Sequence, residues 1–212
     1  MELSEAKHRI LFEALKLFSR NGYEATSIEH ITNAVGIRKA SFYSHFTSKQ
    51  ELLDILTDEI TKRYNAYSEY VQKDLEKAGL NPKISMQQLT ETVLLFVSRQ
   101  FEIHTTDSFF CMARNFLTIE QCRNPQLACL LNKCQYIDVL NYYRNLLQHL
   151  IENKILIDKG IEIMVYEFYS PIVVQFYHIQ REPECKAEAL KIIATHISHF
   201  FTLYSNKGES HI

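Results

Sequence analysis

Apolar residues recur along this chain at three- and four-residue intervals, interrupted by short polar punctuation. Ile10, Leu11, Ala14, Leu15 and Phe18 form the first such stripe and predict a helix from about Leu3 to Arg20, ended by Asn21-Gly22. Ile28, Ile31 and Val35 form a second, shorter stripe, opened by Thr26 and Glu29 at capping-box spacing. Gly36 stands where the chain must turn, and Ile37 buries that turn. Arg38 to Ser44 is about two helical turns, with Phe42 and Phe46 as its inner pair. Ser48 and Glu51 form a second capping box, so a long helix starts near Lys49 and runs to Lys77, with Ala78-Gly79 as its stop and Asn81-Pro82 as the break.

Further helices follow by the same logic. Ser85 and Gln88 cap one that runs to about His104, and Thr106-Asp107-Ser108 caps another that ends near Leu117. Asn124-Pro125, an N-cap followed by proline at the first helical position, opens a long helix to about Asn153. Gly160 precedes a helix to about Gln180, and Glu182-Pro183 precedes a last one to about Tyr204. Pro171 falls inside the first of these two and is expected to kink it. The expectation is an all-α chain of about nine helices. Five glycines and four prolines agree with it, because long helices need few breakers.

The stretch from Thr26 to Lys49 carries the most chemistry. Two short helices across a glycine turn make a helix-turn-helix, whose second helix fits the DNA major groove. The amides at the start of the next helix, with Lys49 beside them, suit a phosphate. An ordinary helical hairpin is the alternative on pattern alone. Charge adds a little: residues 1–50 hold seven Lys+Arg against five Asp+Glu, which is +2, so the remainder of a chain of net −2 carries −4. At 212 residues with 46% hydrophobic content, one large domain or two small ones are affordable. No apolar run follows a basic start and none approaches 18 uninterrupted residues, so neither a signal peptide nor a membrane span is expected. Five cysteines, an odd number, then suggest reduced thiols in the cytoplasm.

The same stretch resembles the DNA-binding domain of TetR-family bacterial transcriptional regulators. The resemblance rests on Phe18, Gly22, Tyr23, Thr26, Ile31, Gly36, Ile37, Tyr43, Phe46, Lys49 and Leu52, about the first quarter of the chain. Thr32 and Val35 stand where the family usually has alanine. Arg38 stands where it usually has a serine cap, which removes a cap and offers a guanidinium for guanine O6/N7. The resemblance implies that Tyr43, His45 and Lys49 contact phosphates, that Thr26 and Ser27 hold the adjacent strand's backbone, and that Arg38, Lys39, Ala40 and Ser44 face base edges. For His45, a plain surface histidine is the alternative. Residues 1–48 would be the DNA-binding domain and 49–212 a helical ligand-binding and dimerisation domain.

For that body, the resemblance implies an inducer cavity and a homodimer across a two-fold axis. The aromatic supply points to a bulky apolar or aromatic ligand lined by Phe96, His104, Phe110, Arg114, Tyr143, Phe168, Tyr169 and Phe176, with Gln135 and His178 as further polar candidates. Core packing is the alternative for each of them. The segment Ile161–Ile179 is apolar on most faces, which suggests one face in the core and another against a partner. Val165, Ile172, Ile193, Ile197, Phe200 and Tyr204 are the residues expected at the dimer interface, a large monomeric core being their alternative. The cysteines read as small hydrophobes; a thiol redox sensor is a minor reading. His196 and His199 share a face, but no further ligand is evident, so no metal and no cofactor is expected. No nucleophile–base pair, acidic dyad or P-loop appears, so an enzyme is not expected. The function that emerges is a DNA-binding regulator, most simply a repressor released from a palindromic operator by a small molecule. A ligandless regulator controlled by a protein partner is the alternative.

Overall fold

The structure is a computed structural model that describes residues 4–77 and 83–206. Its α-helices are α1 (Glu5–Asn21), α2 (Ile28–Val35), α3 (Lys39–Tyr43), α4 (Lys49–Lys77), α5 (Met86–Thr106), α6 (Ser108–Glu120), α7 (Pro125–Asn132), α8 (Asp138–Glu152), α9 (Ile161–Arg181) and α10 (Lys186–Leu203). A five-residue π turn, Lys133–Ile137, joins α7 to α8 without leaving helix. Counted as one rod, that pair brings the ten segments to nine among the described residues. The described residues hold no β-strand, only a bridge between Leu156 and Ser205. The expected stop at Ala78-Gly79 and break at Asn81-Pro82 lie outside the described residues.

The chain forms two compact units. The first joins Met1–Ser68 to Asp107–Gln135, so α6 and α7 fold with the N-terminal helices. Its core is one apolar cluster that includes Leu15, Phe18, Ile31, Phe42, Phe46, Leu52, Phe116 and Leu127. Phe18 of α1 and Phe116 of α6 meet with ring centroids 5.5 Å apart. The second unit joins Glu69–Thr106 to Tyr136–Ile212. There α9 packs on α8 and α10, and α10 packs on α5. Phe101, Tyr143, Leu147, Met164, Phe168, Ile193, Ile197 and Phe201 lie in its core.

Most caps follow the sequence. Asp107 Oδ1 accepts from the Phe109 and Phe110 amides, and Asn124 Oδ1 from those of Gln126 and Leu127. Ser85 and Gln88 close a full capping box. Two details differ from expectation. The box that opens α2 is made by Ser27 and His30, not Thr26 and Glu29. The Thr26 hydroxyl instead donates to the Gly22 carbonyl at 2.9 Å inside the preceding loop, so the cap falls one residue later. At α4 the Ser48 hydroxyl accepts from the Glu51 amide as expected, but the Glu51 carboxylate takes the amide and hydroxyl of Thr47. Those two bonds hold its carboxyl below the ordinary value.

Candidate nucleic-acid interface

Within the first unit, α2 ends in a left-handed turn. Gly36 has φ 75° and ψ 36°, its amide returns to the Thr32 carbonyl at 2.9 Å, and the Ile37 amide reaches the same carbonyl at 3.0 Å. The Ile37 bond, with a second one from the Gly36 amide to the Asn33 carbonyl at 3.2 Å, makes a Schellman closure, which needs a residue tolerant of positive φ. Side-chain space does not select glycine here, because a Cβ at Gly36 would meet nothing within 4 Å. The Arg9 guanidinium donates to the Val35 carbonyl and ties α1 to the same turn. The chain then enters α3, whose N-cap Arg38 makes no side-chain cap bond, as the loss of the serine implied.

Phe42 and Phe46 are buried, with ring centroids 5.4 Å apart, and they pin α3 by its inner face. Arg38, Lys39, Ala40, Tyr43 and Ser44 are therefore turned outward and exposed, while His45 is half-buried. The Ser44 hydroxyl donates to the Ser41 carbonyl at 2.7 Å. Tyr43 is 49% exposed and packs edge-on against Phe42. Ser27 is exposed at the α2 start, but Thr26 is fully buried, so its side chain is not on the surface.

Lys49 holds a place the sequence did not suggest. Its ammonium donates to the carbonyls of Tyr23 at 2.9 Å and Thr26 at 3.0 Å, and lies 4.0 Å from the centre of the Tyr23 ring. It thus clamps the α1–α2 loop onto the start of α4. A second clamp comes from α6, whose buried Glu120 accepts from the Tyr23 amide at 2.8 Å. Gly22 makes room for that carboxylate: at φ 80°, a Cβ there would stand 3.0 Å from Glu120 Oε1. Nothing in the spacing of residues 22 and 120 signals the pairing.

The residues expected to line a ligand cavity fall in both units. Phe110 and Arg114 belong to the first. Phe110 packs against Tyr64 and Tyr67, and Arg114 is buried. Burial pushes the Tyr64 phenol up, the Cys134 thiol adds to this, and the Arg114 guanidinium opposes it. Gln135 hydrogen-bonds to the same phenol. The remaining residues gather in the second unit as one aromatic cluster. Phe96 stacks on Tyr142 at 5.1 Å and 14°, and Tyr142 meets Tyr143. Tyr143 in turn touches Phe168 and Tyr169. Phe176 receives Phe101 and His104 edge-on. Burial pushes the Tyr169 phenol up. His178 stands apart from this cluster, at the end of α9 beside Glu182.

The residues expected at a dimer interface require a correction. Val165, Ile172, Ile193, Ile197 and Phe200 are at most 3% exposed inside the second unit of a single chain, and Tyr204 packs on Phe200. The first five lie in its core and are not available to a partner, while Tyr204 is half-buried against that core. The apolar side chains left outside on the same helices are Ile163, Tyr166, Val174 and Tyr177 of α9 and Ile192 and Leu203 of α10. Those of α9 recur at intervals of three, eight and three residues, one stripe down the helix. Where a helix is apolar nearly all round, the pattern cannot say which stripe faces the core.

Comparison with known proteins places this architecture. Residues 10–56 match the family described as bacterial regulatory proteins, tetR family. Over 112 residues the chain is 32% identical to the HTH-type transcriptional regulator TcmR of Streptomyces glaucescens, covering 53% of this chain and 47% of that one. The chain spans about half the length of that relative, and smaller shares, down to 18%, of other curated regulators it matches. In fold it is similar to a structure from Mesorhizobium loti described as a TetR-family transcriptional regulator, with TM-score 0.69, 18% identity, and coverage of 94% of this chain and 96% of that one. It is also similar to FadR from Bacillus subtilis in complex with stearoyl-CoA, with TM-score 0.60, 16% identity, and coverage of 92% and 97%. Among the described residues no helix is long and apolar enough to cross a membrane. The match to the tetR family of bacterial regulatory proteins thus falls on residues 10–56, the stretch that holds the helix-turn-helix, and the helices that follow it in sequence share the fold of those solved regulators.

Proposed function

We propose that this chain is a homodimeric, ligand-responsive repressor that reads a palindromic operator with α3 and is released by a bulky apolar molecule. The observation that carries the reading is the outward face of α3. Arg38, Lys39, Ala40, Tyr43 and Ser44 are exposed on a short helix held rigidly from behind by Phe42 and Phe46. Arg38, Lys39, Ala40 and Ser44 face base edges. Tyr43 and His45 contact phosphates, and Ser27 supports the adjacent strand. Phosphate contacts set register, and base contacts set sequence. Lys49 has one ammonium proton beyond the two it gives to Tyr23 and Thr26, so it serves DNA chiefly by holding the loop. On this reading residues 1–48 read DNA, and residues 49–212 bind ligand and dimerise.

The second-unit aromatic cluster is the ligand-facing part of the proposal. It supplies stacking surface from Phe96, Tyr143, Tyr169 and Phe176. Gln100 Nε2 and Gln175 Oε1 are buried polar atoms without a hydrogen-bond partner among the described residues, and they offer a donor and an acceptor to a bound molecule. The stripe of Ile163, Tyr166, Val174 and Tyr177, with Ile192 and Leu203, is the proposed face between two copies. A two-fold pair presents two α3 helices to successive major grooves about 34 Å apart. Ligand and DNA then oppose each other through one coupling free energy of about 1–3 kcal/mol, roughly 5–150-fold in affinity.

Selection of bound DNA from a random-sequence library at physiological salt tests this directly. A palindrome with half-sites about one helical turn apart is the expected result. Enrichment of no motif would overturn it.

A further inference from the structure

Three side chains with different donor atoms converge where α9 turns into α10. His178 and Glu182 are one helical turn apart, and Cys185 closes the 3-10 turn Pro183–Cys185. Their ligand atoms all lie within 4.8 Å of one another. His178 Nε2 is 3.5 Å from Glu182 Oε2, and the Cys185 thiol donates to that same oxygen at 3.7 Å. The DNA-reading helix, the aromatic cluster and the exposed apolar stripe make no use of this trio.

We propose that His178, Glu182 and Cys185 form a zinc site that ties the end of α9 to the start of α10. Zinc takes imidazole nitrogen, carboxylate oxygen and thiolate sulfur at about 2.0–2.3 Å in a tetrahedron, whose edges are then roughly 3.3–3.8 Å. Two of the three edges already have that length, so only the His178–Cys185 approach needs closing, by rotation of the exposed His178 ring toward the half-buried thiol. The donor set excludes magnesium and calcium, which require oxygen ligands throughout, and suits a borderline-soft ion. Three protein ligands on the surface leave the fourth position to water or to a second molecule. Local charge also favours a cation. Glu184 and Glu188 stand beside the trio in sequence, while the neighbouring Lys186 is drawn away to Glu102 at 2.5 Å.

Cobalt(II) added to the chelator-treated full chain tests the site, because a thiolate ligand gives a charge-transfer absorption that zinc then abolishes by displacement. The expected result is a stoichiometric band that is absent in Cys185→Ser. His178→Ala, an exposed substitution that leaves packing alone, weakens cobalt binding at least roughly ten-fold. The double variant Cys122→Ser, Cys129→Ser, which removes the two exposed thiols elsewhere, keeps the band. Absence of a band in the parent protein, its survival in Cys185→Ser, or undiminished binding in His178→Ala would each overturn the assignment.

Discussion

The Tyr23 amide donates to the buried carboxylate of Glu120 at 2.8 Å across 97 residues of sequence. This bond fastens the loop before the helix-turn-helix to the end of α6. Removing the acceptor strands the amide. Glu120→Leu is therefore expected to lower unfolding free energy by about 1.5–3 kcal/mol, and Glu120→Gln, which keeps an acceptor, by less. Urea denaturation of the two variants checks the order; equal losses would mean that the hydrogen bond is not what Glu120 supplies.

The two turn glycines separate conformation from space. Gly36→Ala meets open surroundings and loses only what a left-handed backbone costs an alanine, about 1–2 kcal/mol. Gly22→Ala adds a Cβ 3.0 Å from Glu120 Oε1 to its positive φ, so it is expected to lose more, at the upper end of about 1–3 kcal/mol. Denaturant midpoints measured together settle the ranking.

Lysines 39 and 49 are expected to part company. Lys39→Ala is expected to shift sequence preference with stability unchanged, since its side chain is exposed and faces base edges. Lys49→Ala lowers stability, by about 1 kcal/mol or more, because two carbonyls lose a charged donor. Arg38→Ala changes sequence preference rather than the salt slope alone. Binding isotherms across DNA sequences and salt concentrations, with thermal melts alongside, distinguish the three.

Substitutions on α9 and α10 divide by face. Val174→Glu, at a position 60% exposed, is expected to give a folded monomer in sedimentation velocity. Ile193→Ala, fully buried, is expected to cost about 2–5 kcal/mol and leave assembly to stability alone. A Val174→Glu protein that stays dimeric would remove this face from the proposed interface.

A surface ion pair supplies an acid-side signature. Arg144 holds both oxygens of Glu162, at 3.0 and 2.7 Å, and this hydrogen bonding keeps the Glu162 carboxyl below its ordinary value. A depressed folded-state value means that the pair contributes above the unfolded-state value and is lost as pH falls through the folded one. Arg144→Gln is expected to return the Glu162 titration, followed by NMR, to the ordinary range.

These outcomes also show where the sequence was legible. Local signals carried far: Asp107, Asn124 and Ser85 cap as their side chains dictate, and Gly36 turns as glycine does. The helix-turn-helix was readable because its chemistry lies within one short segment. Thr26 was misread because two neighbouring hydroxyl residues compete for one cap, and a loop carbonyl took the first. The faces of α9 were beyond reach, since Val165 and Ile163 look equally apolar and only packing separates 0% from 61% exposure. Glu120, the carbonyls around Lys49, and Cys185 beside His178 are contacts across turns or between distant segments, which spacing does not encode.

The division of the first unit has a consequence on the ribosome. Phe18 and the apolar residues of α2 and α3 share a core with Phe109, Phe116 and Leu127. A nascent chain that has emerged only through Lys49 lacks the surface against which those residues close. The α5 segment, which belongs to the other unit, leaves the exit tunnel before that surface does. At about 5–20 residues per second, several seconds pass between synthesis of α3 and of α7, and for that interval the helix-turn-helix segment is an incomplete fold available to chaperones.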